Sequence, residues 1–266
     1  MPDSASRQSF LGQGLVDALD NARIGVIGLS GGGSHIVQQL AHIGFSHYYL
    51  FDPDVLEDSN LTRVVGATAE DAALNRPKVE IARRLISSVQ PNATIHGFAA
   101  KWQERLDMIK CADLIFGCVD SFATRRDLEI LTRRNRIPFI DIGMDVLQQS
   151  EGARMFGQAV LSLPGGPCLF CQKVLTEALL AREASAYGAA GPRPQVVWAN
   201  GVLASSAIGI AIDLLTGWSG ANGTRTFLSY DGNLGTVAAD PRLIYCPPAC
   251  EHFAQDDLGD PRSRAT

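Results

Sequence analysis

Two cysteine pairs carry the most specific chemistry in the chain: Cys168-Leu169-Phe170-Cys171 and, far downstream, Cys246-Pro247-Pro248-Ala249-Cys250. Two short-spaced pairs can deliver four thiolates to one tetrahedral zinc ion. Pro167, Pro247 and Pro248 place both pairs in loops. The expected ligands are therefore Cys168, Cys171, Cys246 and Cys250, with the metal pinning a late segment back onto the body. Four protein ligands leave no open position, so such a site is structural. Cys111 and Cys118 fall outside the pairs and read as inert thiols. His35, His42, His47, His96 and His252 form no cluster in sequence and read as non-catalytic.

A second constellation lies in the first half. The turn Gly28-Leu29-Ser30-Gly31-Gly32-Gly33-Ser34 follows a β-branched run and precedes a helical pattern. In that context glycines let backbone N–H groups approach phosphate, and the helix N-terminus adds favourable partial charge. Asp52 closes the next apolar run, where a carboxylate can accept hydrogen bonds from a ribose. Asn60, Arg63 and Lys78 follow. An Arg and a Lys together can neutralise a triphosphate as charge moves onto a leaving pyrophosphate. Asp120, in Cys118-Val119-Asp120-Ser121, is placed to share a magnesium ion with phosphates. The competing readings are a solvated surface for Arg63 and Lys78, and a helix cap for Asp120. NAD binding is a further alternative, weakened because Ser30 occupies the position where a pyrophosphate needs the closest approach.

These residues need a scaffold that brings strand ends together. Short runs at 24–27, 48–51, 94–96, 114–116 and 139–142 read as strands. Stretches 15–22, 35–43, 78–89 and 125–135 read as helices, closed in the second case by Gly44 and followed in the third by Pro91. Alternation of this kind predicts an α/β fold with helices on both faces of the sheet. The second half is less patterned, and 184–194, rich in Ala, Gly and Pro, reads as a mobile loop. The division expected is a helical segment 1–22, a nucleotide-binding half 23–150, and a substrate and zinc half 151–266 continuous with the same sheet.

Composition narrows the class. The 266 residues are 46% hydrophobic and 19% charged with a formal net charge of −5. This is a globular composition, and it disfavours nucleic acid as the main partner. No basic, apolar leader is visible at the start, so a cytoplasmic location is expected. The apolar stretch 202–217 contains Asp213 and reads as a buried helix rather than a membrane span.

In combination, Asp52-Pro53-Asp54, Ser59-Asn60-Leu61-Thr62-Arg63, Pro77-Lys78-Val79, Cys118-Val119-Asp120-Ser121 and the cysteine pairs resemble the ThiF/MoeB/HesA adenylyltransferases, relatives of ubiquitin-activating enzymes. The resemblance covers residues 7 to about 250. It implies a Rossmann-like mixed sheet flanked by helices, with a zinc-pinned C-terminal part. It also implies ATP-dependent adenylation of the C-terminal glycine of a ubiquitin-like or sulfur-carrier protein. By the same resemblance Gly28, Gly31 and Gly33 line the phosphates, Asp52 binds ribose, Asn60, Arg63 and Lys78 hold the triphosphate, and Asp120 coordinates magnesium. Arg7, in Arg7-Gln8, would reach into a partner subunit's ATP site, implying a homodimer. A conjugating enzyme is a further implied partner. Within the family, a small-molecule or tRNA-base carboxylate is the alternative substrate. The chain departs from the family at Ser30, at Val64, and in lacking a cysteine between 172 and 198, where thioester-forming members carry their nucleophile.

Overall fold

Ile24, Val26 and Ile27 are all buried, on both faces of one short strand. A strand is buried this way only where helices cover both sides of a parallel sheet. The computed structural model describes residues 3–185, 194–220, 226–247 and 250–253. Its strands are Arg23–Ile27 (β1), His47–Phe51 (β2), Thr94–Phe98 (β3), Leu114–Gly117 (β4), Phe139–Gln149 (β5), Gly152–Ser162 (β6), Phe227–Asp231 (β7) and Thr236–Ala239 (β8). They form one sheet in the order β3-β2-β1-β4-β5-β6-β7-β8. Pairing is parallel from β3 through to β5 and antiparallel from β5 to β8. The α/β class and mixed sheet expected from the sequence are both present.

The helices are Gly12–Asn21 (α1), Gly31–Ile43 (α2), Ala69–Ala73 (α3), Lys78–Val89 (α4), Leu106–Ile109 (α5), Phe122–Arg134 (α6), Glu177–Ser185 (α7) and Val197–Thr216 (α8). Side chains alternate across the strands. Ile24, Val26, Leu114 and Phe116 enter one core with residues of α1, α2, α4 and α8. Ile27, Ile115 and Phe139 enter the other with Ile109 of α5, Leu128 of α6 and Leu169. Burying one such aromatic stabilises the fold by roughly 1.5–3 kcal/mol.

Two elements differ from the sequence expectation, and the buried helix expected at 202–217 is present as the longer α8. Helix α2 begins at Gly31, because the glycines form its first turn. Strand β5 continues to Gln149 and pairs along eleven residues with β6. Its outer half mixes Met144, Val146 and Leu147 with Asp145, Gln148 and Gln149 and is half-buried to exposed, so no clear alternation marked it. Helix α8 has 20 residues and a mean hydropathy of 1.5, enough by length and composition to cross a membrane. It packs instead on α1, α2, β5 and β6, with Asp213 buried and accepting from Ser219 N–H (3.2 Å).

This topology creates the cleft. β2 lies on one side of β1 and β4 on the other. The order in which strands are added therefore reverses between β1 and β4, and ligands in open α/β sheets bind outside the carboxyl ends of the strands at such a point.

Candidate active site and metal centre

The turn after β1 is built for close approach. Gly28 has φ +86° and donates its N–H to Phe51 O at the end of β2 (2.9 Å). At Gly33 an added Cβ would lie 1.8 Å from Gly28 O, a main-chain atom that cannot retreat. α2 therefore starts directly against the strand only because position 33 lacks a side chain. Gly33→Ala is expected to push α2 off the turn and destabilise the protein by roughly 1–3 kcal/mol. A lowered thermal midpoint together with weaker ATP binding would register it.

Asp52, at the end of β2, is 3% exposed. Its carboxylate accepts from Leu29 N–H of the turn (2.6 Å) and from Asp54 N–H (2.9 Å). Burial raises its pKa, against the pull of Lys78 and of those two N–H groups. Lys78 opens α4 and is 5% exposed, with Nζ 2.9 Å from Asp54 Oδ2. The contact forms because Lys78 N–H bonds Asp54 O (3.1 Å) and Leu56 N–H bonds Arg76 O (2.8 Å). Arg63 Nε donates to Ser30 Oγ in the glycine turn (3.4 Å), and its Nη1 to Ser59 O (3.0 Å). Asn60 is buried, accepts from Glu57 N–H (3.4 Å) and donates to Ser59 Oγ (3.2 Å). Asp120 shares a small cavity of about 50 Å³ with Ser30, Gly31 and Gly32. It is exposed and does not cap α6, whose cap is the Ser121 hydroxyl accepting from Thr124 N–H (3.2 Å). Gly28, Gly31, Gly33, Asp52, Arg63, Lys78 and Asp120 thus gather around one turn. Arg7 lies apart, exposed in the 3₁₀ segment Asp3–Leu11.

The loop carrying Arg63 is fastened by Asp71. That buried carboxylate accepts from Thr68 N–H (2.9 Å) and Oγ1 (2.8 Å), from Arg76 Nε (2.7 Å) and from Arg84 Nη2 (2.6 Å). Arg84 above all, with Thr68 and Arg76, holds its pKa well below the usual carboxylate range, against the opposing effect of burial. A depressed folded-state pKa gives stability that is present above the unfolded value of about 4 and lost as pH falls below it. Asp71→Asn is therefore expected to lower the thermal midpoint at pH 7 and to flatten its fall below about pH 4.

Sequence reasoning missed several residues here. In the sequence Arg125 is marked only as the first residue of a predicted helix. It is buried, donates to Val119 O (2.8 Å) and Ile142 O (3.2 Å), and pairs with Asp141 (2.6 Å). Burial raises the pKa of Asp141 to about 7, against the pull of Arg125. Glu183 of α7 accepts from Ser121 Oγ (3.2 Å), Phe122 N–H (3.1 Å) and Ala123 N–H (2.9 Å), covering the α6 N-terminus beside Asp120. Of the expected mobile loop 184–194, residues 186–193 lie outside the described residues. Gln195 and Asn200 line the cavity from the other side. Their only sequence signal is position near the start of α8.

The metal cluster corrects one ligand. Cys168, Cys171, Cys250 and His252 bring their ligand atoms within 4.8 Å of one another, and the group could hold a metal ion. Sγ–Sγ separations are 3.6 Å for Cys168–Cys171 and 3.8 Å for Cys171–Cys250. His252 Nδ1 lies 3.5 Å from Cys168 Sγ and 3.4 Å from Cys171 Sγ, its ring stacked on Phe170. Cys246, expected as a ligand, stands aside. It ends the 3₁₀ turn Pro241–Tyr245, and its thiol faces Cys171 O (3.5 Å) and Arg242 O (3.8 Å). α6 braces this cluster: Glu129 Oε1 accepts from Leu169 N–H (2.9 Å), and Arg133 Nη2 donates to Gly166 O (2.7 Å). Cys111 bonds Asp107 O (3.4 Å), and burial pushes the Cys118 thiol far up, so it stays protonated and unreactive at neutral pH.

Comparison with known proteins agrees with this layout. The chain is 29% identical over 155 residues to the SAMP-activating enzyme E1 of Haloferax volcanii, covering 57% of this chain and 53% of that protein. It is 30% identical over 159 residues to the molybdopterin-synthase adenylyltransferase of Escherichia coli, covering 58% and 60%. It thus spans little more than half the length of these relatives. The fold is that of E. coli MccB solved with ATP, at a TM-score of 0.72 and 21% identity, covering 90% of this chain and 71% of that one. The ThiF family profile matches residues 4–250. With that match over nearly the whole chain, and the glycine turn and its charged neighbours at the expected strand ends, the protein belongs to the ThiF family.

Proposed function

We propose that this protein binds ATP at the glycine turn and adenylates the C-terminal glycine carboxylate of a ubiquitin-like or sulfur-carrier protein, releasing pyrophosphate. The observation that carries this reading is the gathering of Arg63, Lys78, Asp52 and Asp120 around one glycine turn at the carboxyl edge of the parallel strands. Relatives named for activation of SAMP, ThiS and molybdopterin synthase support the substrate class.

The carboxylate is already ionised at pH 7 and needs no base. Its oxygen attacks the α-phosphorus, the bond to the bridging oxygen breaks, and pyrophosphate leaves with the charge. Lys78 and Arg63 face that charge, aided by the N–H groups at the start of α2. Each Asp52 oxygen accepts one N–H, which leaves a lone pair on each for ribose hydroxyls. Asn60 orders the loop beneath Arg63. Asp120, exposed and lining the cleft, suits a magnesium ion shared with phosphates, which would add neutralising charge. A groove of about 640 Å³ over the antiparallel strands shares Arg125, Gly143 and Met144 with the cleft, and it would receive the extended tail. Arg7 would complete the site of a second copy in a homodimer. The mixed anhydride would then pass to sulfur or to a conjugating enzyme in the cytoplasm.

The cluster of Cys168, Cys171, Cys250 and His252 suits zinc. A tetrahedral ion with Zn–S bonds of about 2.3 Å sets sulfurs about 3.8 Å apart and sulfur and nitrogen about 3.5 Å apart. The separations of 3.6, 3.8, 3.5 and 3.4 Å fit. With four protein ligands its role is structural.

ATP–pyrophosphate exchange, measured against a panel of carrier proteins ending in Gly-Gly, tests the reading. Exchange is expected only with a carrier that keeps its terminal glycine. Exchange without carrier, or with the terminal glycine removed, would contradict it.

A further inference from the structure

Asn200 sits in the first turn of α8, where its own N–H bonds Val196 O (3.2 Å). The residue is 5% exposed, and its amide Nδ2 is buried with no hydrogen-bond partner among the described residues. A buried donor without a partner is costly, and proteins keep few of them. Asn200 therefore offers a buried donor to a ligand, and its surroundings say which kind.

The amide lies against the glycine turn. A Cβ on Gly31 would come within 2.2 Å of Asn200 Nδ2 and 3.0 Å of Gln195 Oε1. Glycine at 31 and asparagine at 200 are thus a matched pair: any side chain at 31 displaces the amide. The small cavity they line, about 50 Å³, also touches Ser30, Asp120 and Arg125. The cationic groups suited to the triphosphate, Arg63 and Lys78, approach the turn from Ser30 and Asp52 and do not line this cavity. On its other side the cavity opens, through Arg125, Gly143 and Met144, onto the larger groove. Asn200 stands between the phosphate side and the tail side.

We propose that Asn200 is a substrate-binding residue for the acyl end: its Nδ2–H donates to the oxygen of the tail carboxylate that becomes the carbonyl oxygen of the mixed anhydride. This rests on the adenylation reading and deepens it. A neutral donor holds the carboxylate beside an anionic phosphate without forming an ion pair that would quench the attacking oxygen. The bond is kept after pyrophosphate leaves, so the donor also orients the product.

Two probes separate the acyl end from the nucleotide. Glycylglycyl-sulfamoyl-adenosine carries both; ATP carries only the nucleotide. Titration calorimetry with magnesium is expected to show that Asn200→Ala binds the sulfamoyl probe about 10- to 100-fold more weakly and ATP within about threefold of wild type. Asn200→Asp is expected to lose at least as much, because a carboxylate replaces the donor. Equal weakening for both ligands would assign the donor to the nucleotide and overturn the proposal. No weakening for either would overturn it as well. Should Asn200→Ala fail to fold, Asn200→Ser, which keeps a shorter donor, is read by the same ratio. Wild-type protein that binds neither ligand would sink the adenylation reading itself, an outcome distinct from wild-type binding with an indifferent variant.

Discussion

Lys78→Ala is expected to lower ATP–pyrophosphate exchange by about 10²–10³-fold, the loss seen when one preorganised charge-stabilising donor is removed. Two effects act together. The ammonium is lost from the side where the leaving pyrophosphate collects charge. Asp52 also loses the cation that holds its pKa down, so burial raises that pKa further and the ribose site weakens. The fold is expected to survive, because the abandoned Asp54 side chain is 64% exposed and water can solvate it. Thermal denaturation should therefore show a small change where exchange kinetics shows a large one. Lys78→Arg is expected to rescue poorly, since the larger planar group must fit a position only 5% exposed. Comparable losses of activity and stability would mean that Lys78 is structural.

Removing the metal is expected to lower the thermal midpoint by roughly 10 °C, at about 2–4 °C per kcal/mol for a chain of this size. Cys171→Ser is expected to do the same and to abolish metal content measured by mass spectrometry. The reason is connectivity. Cys250 and His252 arrive from a late segment, and without the ion the buried Cys168 and Cys171, the half-buried Cys250 and the exposed His252 face one another with no common partner. Leu169, between the two early ligands, is held by Glu129 of α6, the helix whose start faces the cleft. Loss of metal is therefore also expected to weaken ATP binding, by a smaller factor. Cys246→Ser is the discriminating control. Its thiol faces main-chain carbonyls, so metal content is expected to stay at one per chain. Halved occupancy in Cys246→Ser, with His252→Ala unaffected, would restore the four-cysteine set.

The parallel half was legible because β1, β2 and β4 are short apolar runs ended by Gly or Asp. Lys78–Val89 begins and ends where the Pro77 start and the apolar stripe place it. The antiparallel half was not. β5 and β6 continue through Asp145, Gln148, Gln149 and Arg154, whose polar side chains suit a half-exposed hairpin but carry no pattern distinct from a loop. The site shows the same division. Residues that act through their own charge, such as Arg63 and Lys78, were visible by type and spacing. Those whose meaning depends on burial were not: Arg125 reads only as the first residue of a helix until Asp141 is found beneath it, and Asn200 reads as a helix residue until its amide is found against Gly31. His252 was overlooked because the Cys246–Cys250 spacing mimics a metal knuckle. Only the path of the chain shows which thiol turns away.

The central claim is that one triphosphate site is formed by the glycine turn, Arg63, Lys78 and Asp120. A crystal structure with a non-hydrolysable ATP analogue and magnesium tests it most directly. The account predicts the phosphates against residues 28–33, within hydrogen-bonding distance of Lys78 Nζ and the Arg63 guanidinium, with the metal on Asp120. A nucleotide bound elsewhere, or phosphates that none of these side chains touch, would contradict it.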